Sequence, residues 1–309
     1  MRTDSRYFQQ VRLLVEVLPA VAAEDCFALK GGTAINLFLH DLLRLSVDID
    51  LTYLPITGYE AARVEIDRAL RRIRDRLLGG SPPFEVAAGR GGAAAAHIDT
   101  LGVSRGGLDV KIEVNPVLRG ALYPAIPQPI RPAAEAHFGF ARMPVLAHDD
   151  LYAGKLMAAL DRQHPRDLFD VMVLLEGAGI TDALFRAWLV YLIGHKGNMA
   201  DTLEPRRKEL RMLYEGQFLQ MANREVSLEQ LEDARERMIR ELHRHLGDRE
   251  KRFLLSVKRG KPDWDLLGMP GVDQLPAVKW KLHNIGLMPA ARHAHAVANL
   301  EKVLSEIGS

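Results

Sequence analysis

The chain of 309 residues has one cysteine, almost no net charge and no long apolar run, and each lack removes a class of protein. Cys26 has no second cysteine with which to close an internal disulfide. That excludes a disulfide-stapled secreted scaffold and suits a reducing, cytoplasmic setting. With 41 Lys+Arg against 40 Asp+Glu, bulk charge does not draw the chain to nucleic acid, so any such binding must come from a local patch. No run of about 18 apolar residues occurs, so no membrane span is expected. The N-terminal stretch "MRTDSRYFQQVRLLVEVL" is amphipathic and carries Asp4 and Glu16, so it lacks the apolar core of a signal peptide. No internal repeat is visible, and the only biased tract is the short alanine run Ala93–Ala96.

What is present is enough apolar material, 48% of residues, to bury a sizeable core in one large domain or two. The N-terminal half mixes periods of 2 and 3.6. Helix is expected over Tyr7–Ala22, Thr33–Leu43 and Tyr59–Leu78. Strand is expected over Phe27–Leu29, Val47–Tyr53, Phe84–Ala88, His97–Val103 and Leu108–Asn115, with turns at "GRGGAAA" and "SRGG". Ala121–Pro144 is rich in proline and reads as a connecting arm, which puts a domain boundary near residue 145. Beyond it the pattern is helical: Asp149–Asp161, Pro165–Gly177, Thr181–Ile193, Arg206–Ala222, Ser227–Leu246 and Arg249–Val257.

Strand parity is the most informative local signal. In "LSVDIDLTY" the residues Val47, Ile49 and Leu51 share one face, and Ser46, Asp48, Asp50 and Thr52 share the other. In "LDVKIEVNP" the same alternation turns Val110, Ile112 and Val114 inward and leaves Asp109, Lys111, Glu113 and Asn115 on the polar face. If these strands are neighbours, Asp48, Asp50 and Glu113 converge. Packed carboxylates repel unless a cation lies among them, and an all-oxygen donor set favours Mg²⁺ or Mn²⁺. Solvated acids on a half-exposed strand remain the alternative, although aspartate is depleted in strands.

Two further motifs each admit a bland and a functional reading. Lys30-Gly31-Gly32-Thr33 leads from an apolar run into a helical pattern. It is either a strand-to-helix turn capped by Thr33 or a turn whose amides and hydroxyl meet phosphates. In "GKLMAALDRQHPRDLFDVMVLLE", Lys155 lies among small residues, with Arg162 two turns on and Pro165 opening a new helix. Asp167 in the first turn of that helix suits its dipole. Basic residues also gather over Arg240–Lys261, eight Lys/Arg against three acids, and Trp264 and Trp280 sit beside Lys261, Lys279 and Lys281. The first group suits phosphates or a solvated helix face, and the tryptophans suit stacked bases or a core.

In combination, "LKGGTAINL", "RLSVDIDLTY", "KIEVN" and "GKLMAALDRQHPRDLFDVMVL" resemble the AbiEii/AbiGii toxin-type nucleotidyltransferases, which include MenT-type toxins that modify tRNA. The likeness covers Phe27 to Leu175, and the tail "FLLSVKRGKPDWDLLGMPGVDQLPAVKWKLHNI" is similar to longer members. The resemblance implies an α+β chain: a polymerase-β-like nucleotidyltransferase domain with a mixed sheet at residues 1–145. A mostly helical domain at 146–309 would contribute Lys155 and Asp167. It implies that Gly31, Gly32 and Thr33 hold the phosphates of an NTP, that Asp48 and Asp50 bind Mg²⁺ or Mn²⁺, and that Glu113 fills a third carboxylate position. Lys155 and Arg166 would contact the nucleotide, and Asp167 belongs to the acidic motif. Many relatives have aspartate where Glu113 stands, so Glu113 either completes the metal site or orients Lys111. The implied activity is nucleotide transfer to an RNA 3′ end, with a tRNA acceptor end as partner; the alternatives are transfer to a protein or small molecule, or a non-catalytic binding module whose acids and glycines are structural. A cognate antitoxin completes the toxin–antitoxin or phage-defence pair, and no membrane is involved.

Overall fold

The structure, a computed structural model, describes residues 3–90 and 97–307. The expected turn at 89–95 and the alanine run therefore fall largely outside the described residues. The chain divides into two compact units, residues 1–151 with 215–225, and residues 152–214 with 226–309.

The first unit is a mixed sheet with helices. Its strands are β1 (Phe27–Lys30), β2 (Asp48–Tyr53), β3 (Glu85–Arg90), β4 (Ile98–Arg105), β5 (Leu108–Val114), β6 (Ile126–Pro129) and β7 (Arg142–Val145). They lie in the order β3-β4-β5-β2-β1-β7-β6. The β2–β5 and β1–β7 pairs are parallel, and the other pairs are antiparallel. Helix α1 (Arg6–Ala22) starts at Ser5, whose hydroxyl accepts from Phe8 N, and lays its apolar stripe on β5 and β7. Gln10 Nε2 fastens that helix to the Asp109 carbonyl of β5 at 2.8 Å. Helix α3 (Tyr59–Leu78) covers β3 and β4 with Ala62, Ile66, Leu70, Ile73 and Leu77, and turns its Arg and Glu residues outward.

Three expectations change here. The segment after β1 is helical only from Gly31 to Leu39: one turn of α-helix, α2 (Gly31–Thr33), runs into a π-helical stretch, Ala34–Leu39. The strand carrying the two aspartates starts at Asp48, and its alternation does not extend upstream, since Ser46 is buried and Val47 only half-buried. Most of all, Ala121–Pro144 is not a connecting arm. It holds β6, the seven-residue helix α4 (Pro132–Phe138) and most of β7, which together complete the sheet. Its prolines misled because Pro127 and Pro129 lie in an edge strand, where a missing N–H costs little. Asp150 anchors the start of the segment, its buried carboxylate accepting from Leu122 N at 3.1 Å and Tyr123 N at 3.0 Å.

Helix α5 (His148–Arg162) leads into the second unit, which continues with α6 (Pro165–Glu176), α7 (Asp182–Gly194) and α8 (Met199–Leu203), and α9 (Arg211–Gln217) runs from this unit into the stretch 215–225 that belongs to the first. After these come α10 (Leu228–Arg244), α11 (Asp248–Lys258), α12 (Trp264–Leu267), α13 (Pro276–Gly286) and α14 (Ala290–Glu306). A capping box of Ser227 and Gln230 starts α10. Gly194 lets α13 approach α7 closely, since a Cβ there would meet Ala277 Cβ at 3.1 Å. The helix expected over Arg206–Ala222 shrinks to α9. Tertiary hydrogen bonds take its first residues: Gln163 Nε2 donates to Arg206 O at 2.7 Å, and Lys208 N donates to Gln163 Oε1 at 3.0 Å. No helix among the described residues is long and apolar enough to cross a membrane.

Candidate active site

The Gly-Gly turn sits where β1 ends, against the two aspartates of β2. Lys30 is extended, and Gly31 then takes φ +72°, the left-handed region that favours glycine. A Cβ on Gly31 would lie 2.4 Å from Asp50 Oδ2, so the carboxylate rests on bare backbone. Gly32 is equally close to side chains of the chain itself. A Cβ there would lie 2.6 Å from Arg44 Nη2 and 2.7 Å from Ser46 Oγ. The turn thus brings the chain's backbone against both a carboxylate and a guanidinium.

Thr33 is fully buried, and its hydroxyl donates to the Asp48 carbonyl at 2.6 Å. It holds the first residue of β2 and makes no side-chain cap to the π-helical stretch that follows it. Two residues not singled out in the sequence complete the support. Asn36 Nδ2 donates to Gly32 O at 3.0 Å, and its Oδ1 accepts from Arg44 N at 3.1 Å. Arg44 Nη1 in turn donates to Leu45 O at 2.9 Å. The available signal was an asparagine inside the apolar "AINLFL" and an arginine four residues before Asp48, both of which prove buried.

The parallel pairing of β2 with β5 sets Asp48 opposite Lys111 and Asp50 opposite Glu113. On the other side, β1 sets Lys30 opposite Asp50. Ile49, Leu51, Val110, Ile112 and Val114 are buried behind them. Glu113 is half-exposed and turned to Lys111, whose ammonium it binds. That bond to Glu113, aided by the charges of Asp48 and Asp50, raises the Lys111 pKa, so the lysine stays charged. Among the described residues no group of three His, Cys, Asp or Glu side chains is close enough to hold a metal ion. The donor set still suits a hard divalent cation: two half-buried aspartates on one face, oxygen ligands only, with no Cβ on Gly31 to fill the space beside Asp50. Asp48 and Asp50 fit as ligands of such an ion, whereas Glu113 is engaged by Lys111.

Lys155, Arg162 and Asp167 form a charge cluster in the second unit. Lys155 Nζ lies 2.7 Å from Asp167 Oδ1 and 2.9 Å from Asp170 Oδ2, all three side chains being buried. Arg162 Nε reaches Asp167 Oδ2 at 2.5 Å, and its guanidinium stays largely exposed. Burial alone would raise the Asp167 pKa. Lys155 and then Arg162 outweigh it and hold the carboxyl well below the usual range. Two acids and two cations balance, so the Lys155 ammonium is already neutralised by side chains of the chain itself. Arg166 is half-buried at the start of α6, where its N–H donates to His164 Nδ1 at 3.1 Å. The lone thiol offers no competing chemistry: burial and Glu24 push Cys26 up to about 11, so it is protonated at neutral pH.

The family model of the nucleotidyl transferase AbiEii toxin, from type IV toxin–antitoxin systems, matches residues 12–284. The chain belongs to the AbiEii nucleotidyltransferase toxin family. All of the AbiEii residues discussed above, from Gly31 to Asp170, lie within that match. Among solved structures it is similar to MenT4, a nucleotidyltransferase toxin from Mycobacterium tuberculosis H37Rv. The identity is 16% and the TM-score 0.48, over 98% of this chain and 94% of that one. No curated protein matches the chain.

Proposed function

We propose that this AbiEii protein transfers a nucleotide from an NTP to an RNA 3′ end, the acceptor end of tRNA, and releases pyrophosphate. The RNA so modified no longer serves translation, which makes the chain the toxin of a pair whose antitoxin restrains it in the cytoplasm. A phage-defence role follows from the same arrest. The observation that carries the chemistry is the pair Asp48 and Asp50 on one face of β2, with Asp50 resting on the bare backbone of Gly31.

In this reading the RNA 3′ hydroxyl oxygen attacks the α-phosphorus. The bond to the bridging oxygen breaks, pyrophosphate leaves with the electron pair, and the hydroxyl proton passes to water. The Gly31-Gly32 turn, with Thr33 behind it, receives the phosphates. Asp48 and Asp50 would hold Mg²⁺ or Mn²⁺, while Glu113, opposite Asp50 in the register, stays paired with Lys111. A bound divalent ion supplies charge stabilisation to the entering and leaving oxygens. On the family pattern Lys155, Arg166 and Asp167 serve the nucleotide, in a cluster whose exposed cation is Arg162. Incubation with each labelled NTP in turn and total RNA tests the proposal. Label on a protein or a small molecule, with none on RNA, would replace it with a different acceptor.

A further inference from the structure

A second basic feature lies wholly within the helical unit and is used by none of the chemistry above. A cavity of about 550 Å³ opens between the α7–α8 connection, the end of α11, α13 and α14. Its walls include Lys196, Asn198, Lys258, Trp280, Lys281 and Arg292, and no aspartate or glutamate lines it. Lys258 and Lys281 are both buried, and neither makes an ion pair among the described residues. Lys281 Nζ donates to the carbonyls of His195, at 2.8 Å, and Gly197, which leaves one of its three protons. The Asn198 Oδ1 is buried with no hydrogen-bond partner among the described residues. Burial, and then the charge of Lys258, push the Lys281 pKa down to about 8. Burial likewise lowers Lys258, against the opposing charge of Asp201. Uncompensated buried cations of this kind are costly unless an anion joins them. Trp280 meanwhile stands 42% exposed at the same cavity, whereas Trp264 is half-buried against Phe253, where it docks α12 on α11.

We propose that this cavity is a second binding site for single-stranded RNA. A backbone phosphate enters between Lys258, Lys281 and Arg292, a base stacks on Trp280, and the Asn198 amide meets a polar edge of the same nucleotide. The inference rests on RNA being the acceptor and names a second place at which that acceptor is held. The basic stretch Arg240–Lys261 is thereby resolved into parts. Arg244 and Arg259 are spent on Glu241 and Glu301, and Lys258 faces the cavity. Basic side chains beside an exposed aromatic ring are the pairing that single-stranded nucleic acid uses, and Lys258, Lys281, Arg292 and Trp280 present it here.

The test is fluorescence anisotropy with a labelled single-stranded RNA, using wild type, Trp280→Ala and the double variant Lys196→Ala/Arg292→Ala. All three substituted positions are exposed, so the fold should persist. Removing the stacking platform should weaken RNA binding by roughly tenfold. The double variant should flatten the dependence of log K on log salt by about 1 for each lost phosphate contact. NTP binding should be unchanged in both. Wild-type RNA binding with unaltered variants would overturn the cavity and leave the proposed activity standing, as would AMP competing as well as RNA. Absence of RNA binding by wild type would overturn both.

Discussion

Replacing Gly31 with alanine puts one methyl group where the Asp50 carboxylate already lies. Two costs can be separated. The first is conformational: at φ +72° an L-residue pays about 1–2 kcal/mol relative to glycine. The second is steric. The new Cβ would sit 2.4 Å from Asp50 Oδ2 and 3.1 Å from Asp50 Cβ, so the carboxylate must move by about 1 Å to reach ordinary contact. Gly106 provides the control. It has φ +62° and nothing within 4 Å of a built Cβ, so Gly106→Ala meets the conformational cost alone. Both variants should therefore lose a few degrees in Tm. Only Gly31→Ala should lose nucleotide transfer, by about 10²-fold, as misplacement of a reacting group by about 1 Å implies. Transfer of label from NTP, measured beside thermal unfolding for both proteins, decides it. Equal activity of Gly31→Ala and Gly106→Ala would refute the claim that Asp50 must stay where Gly31 seats it.

Lys155→Met should destabilise the protein by about 3–5 kcal/mol, because it strands the buried carboxylates of Asp167 and Asp170. Urea unfolding measures this, and a loss under 1 kcal/mol would contradict the buried pairing. The pH dependence follows from Asp167, whose folded pKa is depressed below the unfolded value. Its contribution is complete above about pH 4 and is lost as pH falls through the folded value. The stability gap between wild type and Asp167→Asn should accordingly narrow between pH 7 and pH 3. A gap that stays constant over that range would assign the low pKa to the wrong residue.

Local periodicity carried most of what positions the aspartates. Alternation in "DIDL" and "LDVKIEV" marks which side chains share a face, since a strand's period of two is a property of the backbone. The parallel register that sets Asp50 opposite Glu113 is long-range, and two strands separated by a helix and a hairpin do not announce it locally. The same limit hid Arg44. Its partners Asn36 and Gly32 lie across an irregular turn, and the backbone of Leu45 beside it donates to Met221 O, far along the chain. Lys155 and Asp167 both stand out in the sequence, whereas the approach of the Asp167 and Asp170 carboxylates to the lysine does not. They come to it because Gln163 turns the chain with φ +49° between α5 and α6, a conformation no propensity favours for glutamine. Ala121–Pro144 has the reverse cause: a local rule that reads proline as linker is overridden where the residues lie in a sheet edge.

In the proposed reaction Asp48 and Asp50 would support metal-assisted transfer of a nucleotide to RNA. The most direct measurement incubates wild type and Asp48→Ala with each labelled NTP and total RNA, then locates the label. Label should appear at RNA 3′ ends with wild type in the presence of Mg²⁺ or Mn²⁺, and none with Asp48→Ala. Label that persists on RNA with Asp48→Ala, or that appears only on protein or small molecules, would contradict it.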